Sequence, residues 1–333
     1  MQISELRRRV SSDLLNFTWE EWAQMGVSAS TERRDTWAAD PEALLLFTFE
    51  IARSDARLFD EMLDWLLVNE RIVSVQRLRN LCRDETDREL VDASLAWVAQ
   101  WRPRARLVAK KRRGPARAVP LFRDSRVKVR QPDESFRDYG WLKPRTEPSH
   151  KSRRPDLSAA INFAFRLRQL VGVGARAEVI RVLLTSTQEP LSAQAVSESA
   201  CYAKRNVYDA LTSLADAGVV EAMDVRNERR YAAPRERWAP LLGIDAEQLP
   251  TQRAWPQLLD GLRMLVRWLE DDRHEKLSDY MLASEARVLM DKIGPELRSA
   301  GVTVNEPGGL GPDYWQDFIA GVEAAVGAVG ASP

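Results

Sequence analysis

The chain has 333 residues, and its 49 Lys+Arg and 49 Asp+Glu cancel to a formal net charge of zero. An apolar fraction of 44% with 11 Trp excludes a globally disordered chain, and the length predicts two or three domains. The cancellation hides structure: residues 102–154 carry +13, residues 1–101 carry −7 and residues 155–333 carry −6. A basic centre between acidic flanks points to a polyanionic partner and says nothing about fold.

No apolar stretch follows the arginines of the N-terminus, so no secretory leader is expected. No apolar run approaches a membrane span, so no membrane partner is expected. Cys82 and Cys201 lie far apart in sequence, which predicts free thiols and a cytoplasmic protein.

Residues 1–101 read as a helical N-terminal domain. Asp40-Pro41-Glu42 predicts a helix start, with Asp40 as cap, Pro41 at the first helical position and Glu42 complementing the dipole. Leu58, Met62, Trp65 and Leu66 share one face of a second helix. Ser74 is placed to cap a short helix through Leu81. Val91, Leu95 and Val98 mark another from Thr86 to Gln100.

Residues 102–156 hold seven of the 17 prolines and read as a basic connecting segment. Arg106 to Ala109, Val119 to Phe122 and Val127 to Val129 are its candidate strands. Leu121, Phe122, Phe136, Tyr139, Trp141 and Leu142 predict that it lies partly ordered against a neighbouring domain, with its arginines outward. One reading joins residues 58–122 into a degenerate first winged helix. The favoured alternative is an unrelated helical bundle followed by a linker.

A helix over 157–173 leads into the next domain, 157–250. Residues 251–333 read as a helical C-terminal domain. There Leu258, Leu262, Leu265 and Leu269 form an apolar stripe. A later helix from Glu275 to Ala300 meets a potential break at Gly294-Pro295, and a last helix carries Tyr314, Trp315, Phe318 and Ile319.

The most informative stretch runs from Gly174 to Ala233. Val179, Ile180, Leu183 and Leu184 face inward from a first helix. Ser192 caps a short second helix bearing Ala195 and Val196. Val207, Ala210, Leu211 and Leu214 face inward from a third, which stops at Gly218. A strand, a polar turn at Arg226-Asn227-Glu228 and a second strand follow.

The segments "EPLSAQAVSES", "AKRNVYDALTSLADAGVVEAM" and "RNERRYAA" resemble the winged helix-turn-helix superfamily, in particular bacterial regulators of the MarR and ArsR type. The resemblance covers about 60 residues, and the helical flanks look like those of actinobacterial proteins that join such a module to helical regions. It implies a mainly α, multi-domain protein that binds double-stranded DNA as a transcriptional regulator. The third helix would enter the major groove, which assigns Lys204, Arg205, Asn206 and Tyr208 to contacts there, together with Ser192. Arg226, Arg229 and Arg230 would contact the backbone or minor groove from the wing. Lys110, Lys111, Arg112 and Arg113 would add contacts to phosphate without sequence information.

Three features depart from the family pattern. The unit is not basic, with seven Lys+Arg against eight Asp+Glu over 174–233; Cys201 replaces the usual turn glycine; and Ala203 replaces the usual capping hydroxyl.

The stripe on the C-terminal helix is expected to form a homodimer, because palindromic readout favours two-fold symmetry. A small-molecule effector has no identifiable pocket in the sequence. His150 and His274 lie near no cysteine, and no phosphate loop, nucleophile elbow or zinc spacing is present, so neither an enzyme nor a cofactor is expected. The alternative function is a protein-interaction adaptor that docks through the winged helix.

Overall fold

The helix signals place most of the chain. The computed structural model describes residues 2–29, 37–106, 108–110, 118–123, 129–187, 190–251, 253–303 and 313–330. The protein is mainly helical with small sheets. The first helices are α1 (Ile3–Gln24), α2 (Pro41–Ile51), α3 (Ala56–Asn69), α4 (Val75–Leu81) and α5 (Glu85–Trp101). Side chains start four of them: Asp40 accepts from the Ala43 amide, Asp55 from Arg57 and Leu58, Ser74 from Arg77 and Asp84 from Asp87. Each such cap is worth about 1 kcal/mol.

The Pro-rich stretch then forms β1 (Val119–Pro120), α6 (Glu134–Arg137) and β2 (Trp141–Leu142), with β1 and β2 paired in parallel. It is seated as expected. Leu121, Phe122, Phe136 and Trp141 are buried, and the Phe59 ring of α3 meets Phe122 at 5.8 Å and Phe136 at 5.7 Å. Two of its cations turn inward, contrary to expectation. Lys143 is fully buried, its Nζ 2.6 Å from Asp60, and Arg123 pairs with Glu50. Each meets a carboxylate of the helical body, half-buried Asp60 for Lys143 and buried Glu50 for Arg123, because an unpaired buried charge is the costlier state.

Among the described residues of 58–122 the strands of a winged hairpin are not paired with each other, and the expected wing loop at 111–117 lies outside the described residues. Arg106 and residues 108–110 are not strand, and β1 pairs with Trp141–Leu142. Of the third candidate strand, Val127 lies outside the described residues and Val129 is irregular.

The middle of the chain gives α7 (Phe163–Val171), α8 (Ala175–Thr185), β3 (Leu191–Ser192), α9 (Ala193–Ala200), α10 (Lys204–Asp216), β4 (Glu221–Val225), β5 (Glu228–Ala232) and α11 (Arg235–Leu242). β3, β5 and β4 form an antiparallel sheet in that order. The two-residue strand β3 was not foreseen; its pairing with β5 depends on a partner some 40 positions away. Three helices therefore pack on a three-stranded sheet, around a core that includes Ile180, Leu183, Val196, Val207, Leu211 and Tyr231.

The last helices are α12 (Trp255–Leu269), α13 (Asp279–Ser299) and α14 (Tyr314–Val329). α13 runs through Pro295 without a break. The expectation of a separate C-terminal domain is corrected here. α12–α14 share one hydrophobic core with α1–α5 and with the 121–141 segment. Leu258, Leu262, Leu265 and Leu269 are at most 1% exposed, so the stripe expected to dimerise is spent inside the chain. A helix with so wide an apolar face is most stable against another apolar face, and α1, α2 and α13 supply it. Among the described residues no helix is long and apolar enough to cross a membrane.

α7 joins the two cores. Phe165 enters the first, while Phe163 and Leu167 enter the second.

Candidate nucleic-acid interface

α10 is positioned from below by its apolar face. Val207, Ala210, Leu211 and Leu214 are 0–8% exposed. The opposite face is open: Lys204, Arg205, Asn206 and Tyr208 are all exposed, Tyr208 at 48%. Among the described residues no hydrogen bond or ion pair engages the side chains of Lys204, Arg205 or Asn206. These four neighbours therefore offer two cations, an amide and a phenol at one helix start. Asp209, also exposed, is the acid next to them.

The turn before α10 is held by the helical body. Cys201 adopts a left-handed conformation, φ 56° and ψ 43°, where glycine is usual, and Ala203 gives α10 no side-chain cap. α4 supplies donors that hold the left-handed turn at Cys201, while the first amides of α10 stay without a side-chain acceptor. Arg77 Nε donates to the Ala200 carbonyl at 2.9 Å and Asn80 Nδ2 to the Cys201 carbonyl at 2.9 Å. Tyr202 is buried, and its hydroxyl lies 2.6 Å from that of Ser74, the residue that caps α4. Burial pushes the Cys201 thiol upward, away from a reactive thiolate.

Ser192 sits apart from this face. Its hydroxyl accepts the Ala195 amide at 3.2 Å and its backbone pairs with Arg230 in the sheet, so its observed part is capping. On the hairpin, Arg226 occupies the turn at φ 58° and is exposed, as is Arg229. Arg230 pairs with Glu228 at 3.2 Å. Residues 229 and 230 alternate across the strand, so one surface cannot use both equally.

Lys110 is exposed, and its backbone is pinned. Its amide donates to Asp92 at 3.0 Å, its carbonyl accepts the Tyr139 hydroxyl at 2.7 Å, and Arg79 donates to the neighbouring Val108 carbonyl at 2.8 Å. Arg79 and Asn80 are consecutive on α4, one reaching the basic segment and the other the turn before α10. One short helix thus ties both candidate contact regions together. Lys111, Arg112 and Arg113 lie outside the described residues.

Beneath the site is a cluster of six charges that sequence reasoning missed. Asp40, Glu42 and Arg77 come from the helical body; Arg168, Glu178 and Arg181 come from α7 and α8. All are at most 4% exposed. Arg168 grips Glu42 with two bonds of 2.8 and 2.7 Å, reaches Glu178 at 2.7 Å and donates to the Ile72 carbonyl at 2.8 Å. Arg77 bonds both oxygens of Asp40 and reaches Glu42 at 3.0 Å, and Arg181 bonds Glu178 at 2.8 Å.

Burial alone would push these groups towards neutrality, but the opposing charges outweigh it. Asp40 and Glu178 are held below the ordinary carboxylate range by Arg77, Arg168 and Arg181, and Arg168 and Arg77 are held above the ordinary guanidinium value. Those four therefore stay charged near neutrality, and the formal charges of the six sum to zero. The only sequence signal was the presence of Glu42, Arg168, Glu178 and Arg181 inside apolar helical stretches.

No family model, no curated protein and no solved structure matches the chain.

Proposed function

We propose that residues 175–232 form a winged helix-turn-helix that binds double-stranded DNA, and that the protein acts as a transcriptional regulator. The observation that carries this reading is the open start of α10, where Lys204, Arg205, Asn206 and Tyr208 are exposed and turned away from the core face. An α-helix fits the major groove, where Arg or Lys reads guanine and Asn reads adenine. Arg226 and Arg229 on the adjacent hairpin suit backbone contact. The buried charge cluster supports the reading from beneath. It seats α8, and through Arg77 the turn before α10, on the helical body, which makes the helix start a preorganised surface.

The alternative, a protein-docking module, draws on Tyr208 and Met223, which are 48% and 37% exposed beside Asp209 and Asp224. A homodimer would need a surface other than the α12 stripe.

Fluorescence anisotropy with mixed duplex DNA over a range of salt tests the proposal. The wild type should bind at low salt and weaken steeply as salt rises. Lys204→Ala/Arg205→Ala should weaken binding without moving the melting temperature, since both side chains are exposed. A wild type that ignores duplex DNA at low salt refutes DNA binding. A partner whose capture is insensitive to salt and to the double substitution would favour docking.

A further inference from the structure

Between the helical body and the α7–α8 junction lies a cleft of about 1180 Å³, lined by Arg71, Arg102, Arg106 and Arg154 and by Asn206 of α10. Resting on the DNA-binding reading above, we propose that this cleft takes the phosphodiester backbone of the duplex where it runs on from α10.

Charge balance is the first support. Arg168 also reaches the cleft, but Glu42 and Glu178 already neutralise it. Among the described residues the one carboxylate lining the cleft is Glu70, which is buried and engaged at both oxygens: Arg71 Nε lies 3.4 Å from one, and the Arg106 amide donates to the other at 3.1 Å. Arg102, Arg106 and Arg154 are left as net positive charge. Arg106 and Arg154 are exposed, and their guanidinium groups have no partner among the described residues. A guanidinium matches phosphate in a two-bond fork and is the side chain best suited to this task.

Continuity is the second support. Asn206 belongs both to the open start of α10 and to the wall of the cleft, immediately beside Lys204 and Arg205. A duplex seated on α10 therefore has one strand's phosphates leading towards the arginines. The first turn of α8 completes the wall at Gly174 and Ala175. Gly174 caps that helix with no side chain, and a Cβ added there would meet nothing within 4 Å, so the backbone is open to an approaching phosphate.

The site also resolves a mismatch of charge. The 174–233 stretch that reads the groove is near neutral by itself. Affinity for a polyanion must come from cations outside it, and these arginines are brought beside it from residues 71–154.

The test compares the salt dependence of binding for wild type, Arg106→Ala/Arg154→Ala and Arg106→Lys/Arg154→Lys. Two duplexes are used, one of about 20 base pairs and one of about 10, the latter a single helical turn. Each lost phosphate contact lowers the slope of log K against log salt by about 0.9. The alanine variant should therefore lose about two units of slope on the longer duplex and no more than that on the shorter one. The lysine variant should recover the slope. An unchanged slope for the alanine variant on the longer duplex overturns the cleft site while leaving the α10 reading in place. A lysine variant that stays as low as the alanine variant overturns it too, since the loss would then be structural rather than ionic. A wild type that binds neither duplex at low salt removes the DNA reading and this site with it.

Discussion

Replacing Arg168 with Met tests whether the buried cluster is what joins the two cores. The guanidinium supplies five hydrogen bonds, two to Glu42, two to Glu178 and one to the Ile72 carbonyl. Met fills much of the same volume and donates nothing. Three buried carboxylates would then face two guanidinium groups, leaving one uncompensated negative charge and an orphaned carbonyl. Breaking a buried ion pair from one side costs about 3–5 kcal/mol, a large share of the roughly 5–15 kcal/mol that holds a typical protein folded. The assay is urea unfolding followed by tryptophan fluorescence, with Trp238 reporting on the second core. Arg168→Met should lower the midpoint and separate the loss of the second core from the loss of the first. Glu42→Gln/Arg168→Met restores neutrality, so it should cost less than the sum of the single substitutions by about 1–3 kcal/mol. A single-substitution cost below about 1 kcal/mol, or strict additivity in the double, would refute the claim that this cluster joins the two parts.

Three more outcomes follow from the same geometry. Cys201→Gly should stabilise the protein by up to about 1 kcal/mol, because a left-handed conformation costs a side-chain-bearing residue about 1–2 kcal/mol while glycine loses about 0.5–1 kcal/mol in flexibility; a lower midpoint in urea would contradict the strain argument. The cluster should be insensitive to pH between about 5 and 8: Asp40 and Glu178 are depressed from 3.8 and 4.5, so their stabilisation is fully present above those values and is lost only as pH falls below them, whereas Arg77 and Arg168 stay charged throughout. Hydrogen exchange of α8 amides that rises already at pH 6 would contradict this. Truncation before Trp255 should leave the N-terminal helices unable to fold, because each leucine of α12 contributes about 1.5–3 kcal/mol by burial in the shared core; a well-folded truncated chain by circular dichroism would show that the core does not need α12.

The parts legible in the sequence are the ones governed by neighbours along the chain. Helix starts at Asp40, Ser74 and Ser192 depend on a side chain reaching an amide three residues on, and all three appear as caps. The inward face of α10 follows from a period of 3.6 residues, which also leaves Lys204, Arg205, Asn206 and Tyr208 outward. The same periodicity marked α12 as amphipathic, but an apolar stripe states only that something must cover it. Whether a second copy or the chain's own α1 and α2 does so is decided by tertiary packing, and here the chain covers itself. Charge behaved likewise. Counting located a basic centre, yet buried Lys143 and half-buried Arg123 are already paired with Asp60 and Glu50. The arginines that gather beside α10 come from positions 71 to 154.

The buried cluster was the least legible feature. Arg168 and Glu42 are 126 positions apart and Arg77 and Asp40 are 37 apart, and no local pattern links residues at such separations. Sequence by itself therefore determined the capped and strongly periodic helices, their faces and the open start of α10, because those are local consequences of backbone geometry and side-chain polarity; α1, α6 and α11 were not foreseen. Only the tertiary structure decided which charges are neutralised in pairs and which remain free to meet a partner, because that depends on distances the chain sets when it closes on itself.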